Sequence, residues 1–301
     1  MLPMRLQIKP KHTRIQIVTD SNNPIIADLQ WALYSPNLPV PKAVQSRVWP
    51  RPAPLWLNRL DQHHITSTLI KPRHQRLGRY FESLWAAGLT AHPDWLIALS
   101  GYPIRNAQRT LGEIDLVVLQ QNTQQLTHLE LALKFYLRVD HPNCGHQHHW
   151  LGPTLADSYE QKLKRLLEHQ LPMGLHPEVE TALPGPVSHQ GLVIKGRLFV
   201  PAETYTPDEK AQGYGIWLTM NALAQYAQTE ACLPLARSQW LTGPAHACWQ
   251  STERLLNSTQ AMPMMIWLRK NAQTEPQWAM VVPNDWAKKA ACCCPQTELE
   301  L

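Results

Sequence analysis

The chain has 301 residues, of which 44% are apolar, and this fraction is typical of a packed core rather than of a disordered chain. Lysine and arginine (28) exceed aspartate and glutamate (23), so the net charge of +5 permits a polyanionic partner without requiring one. The sequence has no run of about 20 apolar residues, no secretory leader and no glycine-rich nucleotide motif, so we expect neither a membrane span nor a nucleotide cofactor.

Apolar residues at helical and strand spacing predict an alternating order of elements up to residue 200. Residues 1–22 are expected to form an extension, and residues 39–54, which contain five prolines, a loop. The predicted elements are a helix over 23–34, a helix over 75–88, strands over 95–104, 110–119 and 126–139, a helix over 154–170 and a strand over 190–200. A core over about 75–200 therefore has the order helix, three strands, helix, strand.

The C-terminal third carries weaker signals. They predict a helix over 219–228 and apolar segments over 262–268 and 278–282. We expect one α/β domain over residues 23–288, with a mixed sheet flanked by helices and an elaborated C-terminal third. Residues 289–301, which include three of the six cysteines, are expected to form a flexible tail. The cysteines form no CxxC pair, which is typical of reduced thiols in a cytoplasmic protein.

Acidic residues concentrate on the second and third predicted strands of the core. Glu113 and Asp115 are two residues apart, so they share one face of their strand. Glu130, Ala132 and Lys134 share one face of the next strand, and pairing of the two strands brings the carboxylates together. Carboxylate oxygens suit Mg²⁺ or Mn²⁺, and a nearby lysine stabilises developing negative charge. An ordinary solvated hairpin is the alternative interpretation of the same spacing.

The segment GEID over residues 112–115, followed by a hairpin and the strand that carries Glu130 and Lys134, resembles the core of the PD-(D/E)XK nuclease superfamily. Over a longer range the chain resembles a bacterial family known as domain of unknown function 1853. The matching segments are LQWALYSPNL (29–38), LGRYFESLW (77–85), LGEIDLV (111–117), HLELALKFYL (128–137) and GPTLADSYEQKLKRLLEHQL (152–171).

This resemblance implies a restriction-endonuclease-like core and a metal-dependent nuclease that hydrolyses phosphodiester bonds. Asp115 and Glu130 would then bind Mg²⁺ or Mn²⁺ and take part in catalysis. Glu82, on the first helix of the core, matches the acidic residue that completes the metal site in several branches of the superfamily. Lys134 would be the catalytic lysine, which stabilises charge or positions water.

The resemblance also implies nucleic acid as the partner. Gln161 and Lys162 lie on the second helix of the core, where related nucleases often carry a residue that contacts DNA or the site. Arg79 lies at the start of the first helix, among basic residues spaced three apart that would suit phosphates. A solvated helix face is the alternative for all three.

The sequence departs from the superfamily pattern at the lysine. That pattern places glutamate or aspartate and lysine two residues apart, whereas Glu130 and Lys134 are four apart, about 13 Å along a regular strand. Ala132 occupies the usual lysine position. A role for Lys134 therefore predicts a β-bulge between it and Glu130. A non-catalytic module of the same fold that binds nucleic acid or a protein, and an unrelated α/β protein, are the alternative hypotheses.

Overall fold

The computed structural model describes residues 23–52, 62–69, 76–106, 108–140, 149–226, 232–244, 246–256, 262–269, 271 and 273–293. The predicted extension over residues 1–22 lies outside this part of the chain. No helix within the described residues is both long enough and apolar enough to cross a membrane.

Nine strands of the described residues form one mixed sheet. They are β1 (Trp95–Arg105), β2 (Thr110–Gln120), β3 (Gln125–Val139), β4 (His149–Leu151), β5 (Val187–Pro201), β6 (Gly215–Thr219), β7 (Cys232–Pro234), β8 (Met264–Leu268) and β9 (Gln277–Val282). The spatial order is β1-β2-β3-β5-β6-β9-β8-β7, and β4 pairs with β3. The first three strands form an antiparallel meander, β3, β5, β6 and β9 run parallel, and β8 and β7 continue in antiparallel pairing.

Helices flank this sheet. The α-helices are α1 (Pro24–Tyr34), α2 (Gln62–Leu69), α3 (Leu77–Thr90), α4 (Tyr159–Arg165), α5 (Pro177–Ala182), α6 (Pro207–Ala211), α7 (Met220–Tyr226), α8 (Thr252–Leu256) and α9 (Trp286–Cys292). A π-helical turn over Leu166–Gln170 and a 3₁₀ turn over Leu171–Leu175 directly continue α4. The predicted mixed sheet between helices is confirmed, and α3, β1, β2, β3, α4 and β5 occur in the predicted order, with β4 inserted before α4 and α5 inserted before β5.

Both faces of the central strands are buried under helices. One apolar cluster joins α1 and α3 to the sheet through Leu29, Phe81, Trp85, Leu116, Leu129 and Val193. A second cluster joins α4 and the turn after it to the sheet through Ala132, Tyr136, Tyr159, Leu163, Leu166 and Ile194. The sheet is therefore held between two helical layers, and polar side chains at its centre are withdrawn from water.

Local chemistry explains where two of the predicted helices begin. Asn23 caps α1 by accepting a hydrogen bond from the backbone N–H of Ile25 at 3.0 Å, and Pro24 occupies the first helical position. Ser158 caps α4 by accepting from the N–H of Gln161 at 3.2 Å. The helix predicted over 154–170 therefore begins at Tyr159, and helical structure continues to Gln170 as predicted, with its last five residues in the π-helical turn.

The C-terminal third contains more structure than the sequence predicted. β6 and β9 extend the parallel part of the sheet, and β8 and β7 add its antiparallel edge. α9 continues into the range expected to be a flexible tail, because its residues Trp286 and Ala290 are buried in an apolar cluster with Leu137 and Phe199. Residues 294–301 lie outside the described part of the chain.

Candidate metal centre

The candidate site lies where β2 and β3 separate. The two strands pair from Leu116 opposite Leu129 to Gln120 opposite Gln125. The residues of β2 before Leu116 pair with β1 and not with β3. On the edge of β3 that faces β2, the next paired residue is Leu137, which pairs with β4. Within the described residues, β3 thus has a stretch between Leu129 and Leu137 that carries no strand on this edge.

Asp115 occupies the start of this gap. Its Oδ2 accepts a hydrogen bond from the backbone N–H of Leu131 at 2.8 Å. The Asp115 side chain thus gives this N–H an acceptor at a position where the backbone of β2 does not pair with β3. Burial, followed by the negative charge of Glu130, raises the pKa of the Asp115 carboxyl well above its ordinary range. The Leu131 N–H opposes this shift only in part. A negative charge at Asp115 is therefore costly unless a cation accompanies it.

Three carboxylates converge at the gap. Glu82 of α3 and Glu113 and Asp115 of β2 each offer an oxygen, and these oxygens lie within 4.8 Å of one another. We call these three residues the acidic cluster. Hard divalent cations take carboxylate oxygens at about 2.0–2.6 Å, so the donors of the acidic cluster suit Mg²⁺ or Mn²⁺. The structure thus brings together Glu82 and Asp115, which the resemblance assigned to the metal, with Glu113, which the two-residue spacing placed on the same strand face as Asp115.

Arg79 binds two members of the acidic cluster. Its guanidinium forms an ion pair with Glu82 at 3.0 Å and a bidentate pair with Glu113, in which the longer contact is 3.2 Å. Burial raises the pKa of the Glu82 carboxyl, and the charge of Arg79 opposes that shift. The guanidinium of Arg79 is thus a counter-ion to the acidic cluster, and its contact with nucleic acid stays a prediction.

Glu130 is a buried acceptor beside the acidic cluster. Its side chain is 0% exposed, its Oε1 lies 2.9 Å from Nε2 of His128, and its Oε2 accepts from the Gln170 amide at 2.8 Å. A carboxylate oxygen has room for two acceptor contacts, so each oxygen retains capacity after these bonds. Its charge acts on both Asp115 and Glu82. Glu130 is therefore part of the same electrostatic site, although it is not one of the three converging carboxylates of the acidic cluster.

Lys162 joins the site from α4. Its ammonium donates to Oε1 of Gln170 at 2.8 Å, so Gln170 links Lys162 to Glu130. Burial and then the charge of Lys134 lower the pKa of Lys162, while Glu130 and Asp115 act in the opposite direction. Lys162, predicted from the sequence as a contact to nucleic acid or to the site, thus lies among the carboxylates.

Lys134, the predicted catalytic lysine, pairs with a residue outside the acidic cluster. β3 pairs with β5 from Thr127 to Leu137 without a register shift, so the predicted bulge between Glu130 and Lys134 was wrong. Gly196 lies opposite Lys134 in this regular pairing, and a Cβ there would lie 1.6 Å from the Lys134 carbonyl oxygen, so the close approach of the two strands requires glycine. The Lys134 ammonium instead pairs with Asp157 at 2.6 Å.

The remaining predicted contact, Gln161, lies on α4 with an exposed side chain. Its backbone N–H serves the Ser158 cap described above, and a role in binding nucleic acid stays a prediction.

Two residues of the site, His128 and Gln170, were not predicted from the sequence. His128 precedes Glu130 by two, so the two-residue period of a strand was a signal for it. It is fully buried, and a Cβ on Gly174 would lie 2.4 Å from its Nδ1, so only glycine fits there. Gln170 had no comparable signal, because the π-helical turn that brings it to Glu130 interrupts the helical period.

The family model described as a domain of unknown function, DUF1853, matches residues 27–291. The chain belongs to the DUF1853 family. No curated protein and no solved structure matches it. In this DUF1853 chain the matched range includes the acidic cluster, Arg79, His128, Glu130, Lys162 and Gln170.

Proposed function

We propose that this DUF1853 protein is a metal-dependent nuclease that hydrolyses phosphodiester bonds of nucleic acid. The observation that carries the proposal is the convergence of Glu82, Glu113 and Asp115 within 4.8 Å at the point where two strands separate. The order α3, β1, β2, β3, α4, β5 supports it, since it is the order expected of a restriction-endonuclease-like core. The resemblance of the GEID segment to the nuclease superfamily points the same way.

The residues of the site have different roles in this proposal. Asp115 and Glu82 would hold Mg²⁺ or Mn²⁺, with Glu113 and Glu130 as neighbouring carboxylates. When bound, such a cation neutralises charge on the phosphate and lowers the pKa of a water molecule. Glu130 is fixed by His128 and Gln170, so the carboxylate facing Asp115 is oriented in advance.

We assign the role of the catalytic lysine to Lys162 rather than to Lys134. Lys162 is connected to Glu130 through one side chain, Gln170, whereas Lys134 is paired with Asp157. Burial lowers the pKa of Lys162, so its ammonium gives up a proton more readily than a surface lysine does. Lys162 of α4 would thus supply the positive charge that the superfamily pattern places at the position of Ala132 on β3.

A non-catalytic binding module is the second candidate function, and one observation favours it. Arg79 already neutralises Glu82 and Glu113, so the acidic cluster has an internal cation. In such a module the cluster would have a structural role, and the chain would bind nucleic acid or a protein without cleaving anything.

A cleavage assay separates the two candidates. We expect the purified chain with Mn²⁺ or Mg²⁺ to cleave members of a panel of single- and double-stranded DNA and RNA, and EDTA to stop the reaction. Asp115→Asn should abolish cleavage, because it removes a ligand charge and keeps an acceptor for the Leu131 N–H. The matched control is Glu168→Gln, which removes an exposed carboxylate on the turn after α4. Binding without cleavage across all metals and substrates would contradict the enzyme and favour the module.

A further inference from the structure

A pocket of about 570 Å³ opens beside the uncovered stretch of β3. Its walls come from three parts of the chain: residues 133–135 of β3, residues 153–157 before α4, and residues 234–240 and 262–265 of the C-terminal third. Pockets for small organic ligands usually have volumes of about 300–1,000 Å³. The pocket is therefore large enough for a nucleotide-sized group.

One wall of the pocket is aromatic. The rings of Phe135 and Trp240 meet edge to face with their centroids 5.2 Å apart. The Trp240 indole N–H donates to the Leu235 carbonyl at 3.2 Å, which fixes the orientation of the ring. Met262, on the same pocket, is 61% exposed. A flat, fixed aromatic surface next to a polarisable side chain suits a planar ring as its ligand.

Two cations also line the pocket. The Arg237 guanidinium lies 5.6 Å from the centre of the Trp240 ring, and the Lys134 ammonium is held by Asp157 at 2.6 Å. An ammonium has three donors, of which Asp157 takes one. Asp157 also lines the pocket and offsets the charge of Lys134, so Arg237 leaves a net positive charge there. The pocket thus pairs an aromatic wall with a net positive charge, and this combination matches a nucleotide, which carries a planar base and an anionic phosphate.

Lys134 connects this pocket to the acidic cluster. It lines the pocket, and its charge is one of the causes that lower the pKa of Lys162, which is linked to Glu130 through Gln170. The acidic cluster and the pocket also lie along the same uncovered stretch of β3, since Asp115 accepts from the Leu131 N–H and residues 133–135 line the pocket. A strand of nucleic acid whose phosphate lies at the acidic cluster would therefore pass next to the pocket.

We propose that the pocket binds one unpaired nucleotide of a single-stranded nucleic acid, with its base against Trp240 and Phe135 and its phosphate towards Lys134 and Arg237. The inference rests on the proposed function and deepens it, because it names single strands as the substrate class. Bases paired within a duplex are stacked on both faces, so they cannot enter such a pocket without being extruded.

Binding of a labelled single-stranded oligothymidylate to the full chain in EDTA tests the pocket without requiring cleavage. We expect an abasic strand of equal charge to bind about tenfold more weakly, since base stacking contributes this much or more, and a duplex to bind more weakly as well. Met262→Glu places a negative charge in the pocket at an exposed position and should weaken oligothymidylate binding about tenfold. Leu96→Glu is the matched control, because Leu96 is 51% exposed on β1 and does not line the pocket.

A second variant, Trp240→Leu, should weaken binding of oligothymidylate and leave binding of the abasic strand unchanged, provided that its unfolding temperature shows a folded chain. Equal affinity for the two strands in the wild-type protein, or equal effects of Met262→Glu and Leu96→Glu, would overturn the proposal. Metal-dependent cleavage with a KM that Met262→Glu leaves unchanged would overturn the pocket and spare the nuclease. Base-dependent binding with no cleavage would support the pocket and contradict the nuclease.

Discussion

The side chain of Asp115 and the backbone of Leu131 are joined by a hydrogen bond of 2.8 Å, although they belong to strands that have just stopped pairing. The carboxylate thereby replaces a missing partner in the sheet. Because this bond fixes the orientation of Asp115 before any ligand arrives, the fold itself prepares the acidic cluster. The separation of β2 from β3 is thus the structural origin of the site.

Asp115→Asn is expected to raise the free energy of unfolding at neutral pH, on the order of 1 kcal/mol. The amide keeps an acceptor for the Leu131 N–H, and it removes an acid that on folding at neutral pH must either bury a negative charge beside Glu130 or take up a proton. Urea unfolding of the metal-free protein measures the difference. Asp115→Leu is the control, since it also removes the charge but leaves the Leu131 N–H without its acceptor, and it should be destabilising. An Asp115→Asn variant less stable than the wild type would contradict this expectation, because it would show that Lys162 and the Leu131 N–H already compensate the Asp115 charge.

Lys162→Met should lower kcat about 100-fold or more, as expected for loss of a group that moves a proton or stabilises charge. Lys134→Met should act mainly on KM, because Lys134 lies in the pocket. Since the charge of Lys134 lowers the pKa of Lys162, its removal should raise that pKa and move the matching limb of the pH–rate profile to higher pH. A larger loss of kcat for Lys134→Met than for Lys162→Met would reverse the assignment.

Gln170→Leu should destabilise the fold by about 1–3 kcal/mol, the range for leaving buried polar groups without partners. The change removes the donor to Glu130 and the acceptor for Lys162 together. Gln161→Leu, at an exposed position on α4, is the matched control and should change stability by less than about 0.5 kcal/mol. Equal effects of the two variants in chemical denaturation would show that the link through Gln170 contributes nothing.

Stability should rise with pH above neutrality because of Lys195. This residue is 1% exposed, its ammonium donates to the Ser35 carbonyl, and burial, with a smaller effect from the Arg51 charge, lowers its pKa to about 7. An unfolded lysine has a pKa of about 10.4. Between these values the unfolded chain binds more protons than the folded chain, so the free energy of unfolding increases with pH, by up to about 1.4 kcal/mol per unit.

Lys195→Met isolates this contribution. The difference in unfolding free energy between wild type and variant, measured from pH 7 to pH 10, should move in favour of the wild type as pH rises. A difference that stays constant over this range would show that Lys195 does not change its protonation on unfolding.

The parts of the fold that short-range patterns determine were predictable. The helical spacing of Phe81 and Trp85 and the two-residue spacing of Glu113 and Asp115 are local properties, and they gave α3 and β2 nearly their observed bounds. The choice between Lys134 and Lys162 as the proposed catalytic lysine could not be made from the sequence, because it depends on how α4 packs on Ala132 and on the π-helical turn that contains Gln170. β6 and β7 are short, and long-range pairing rather than a local period places them in the sheet.

The central claim is that the acidic cluster holds a divalent cation, and anomalous X-ray diffraction from crystals grown with Mn²⁺ tests it most directly. The account predicts an anomalous peak at about 2.0–2.6 Å from carboxylate oxygens of Asp115 and Glu82, with the Arg79 guanidinium moved away from Glu82. Crystals of Asp115→Asn grown in the same way should lack the peak. Wild-type crystals in which Arg79 keeps both ion pairs, and in which no peak lies at the acidic cluster at saturating Mn²⁺, would contradict the account.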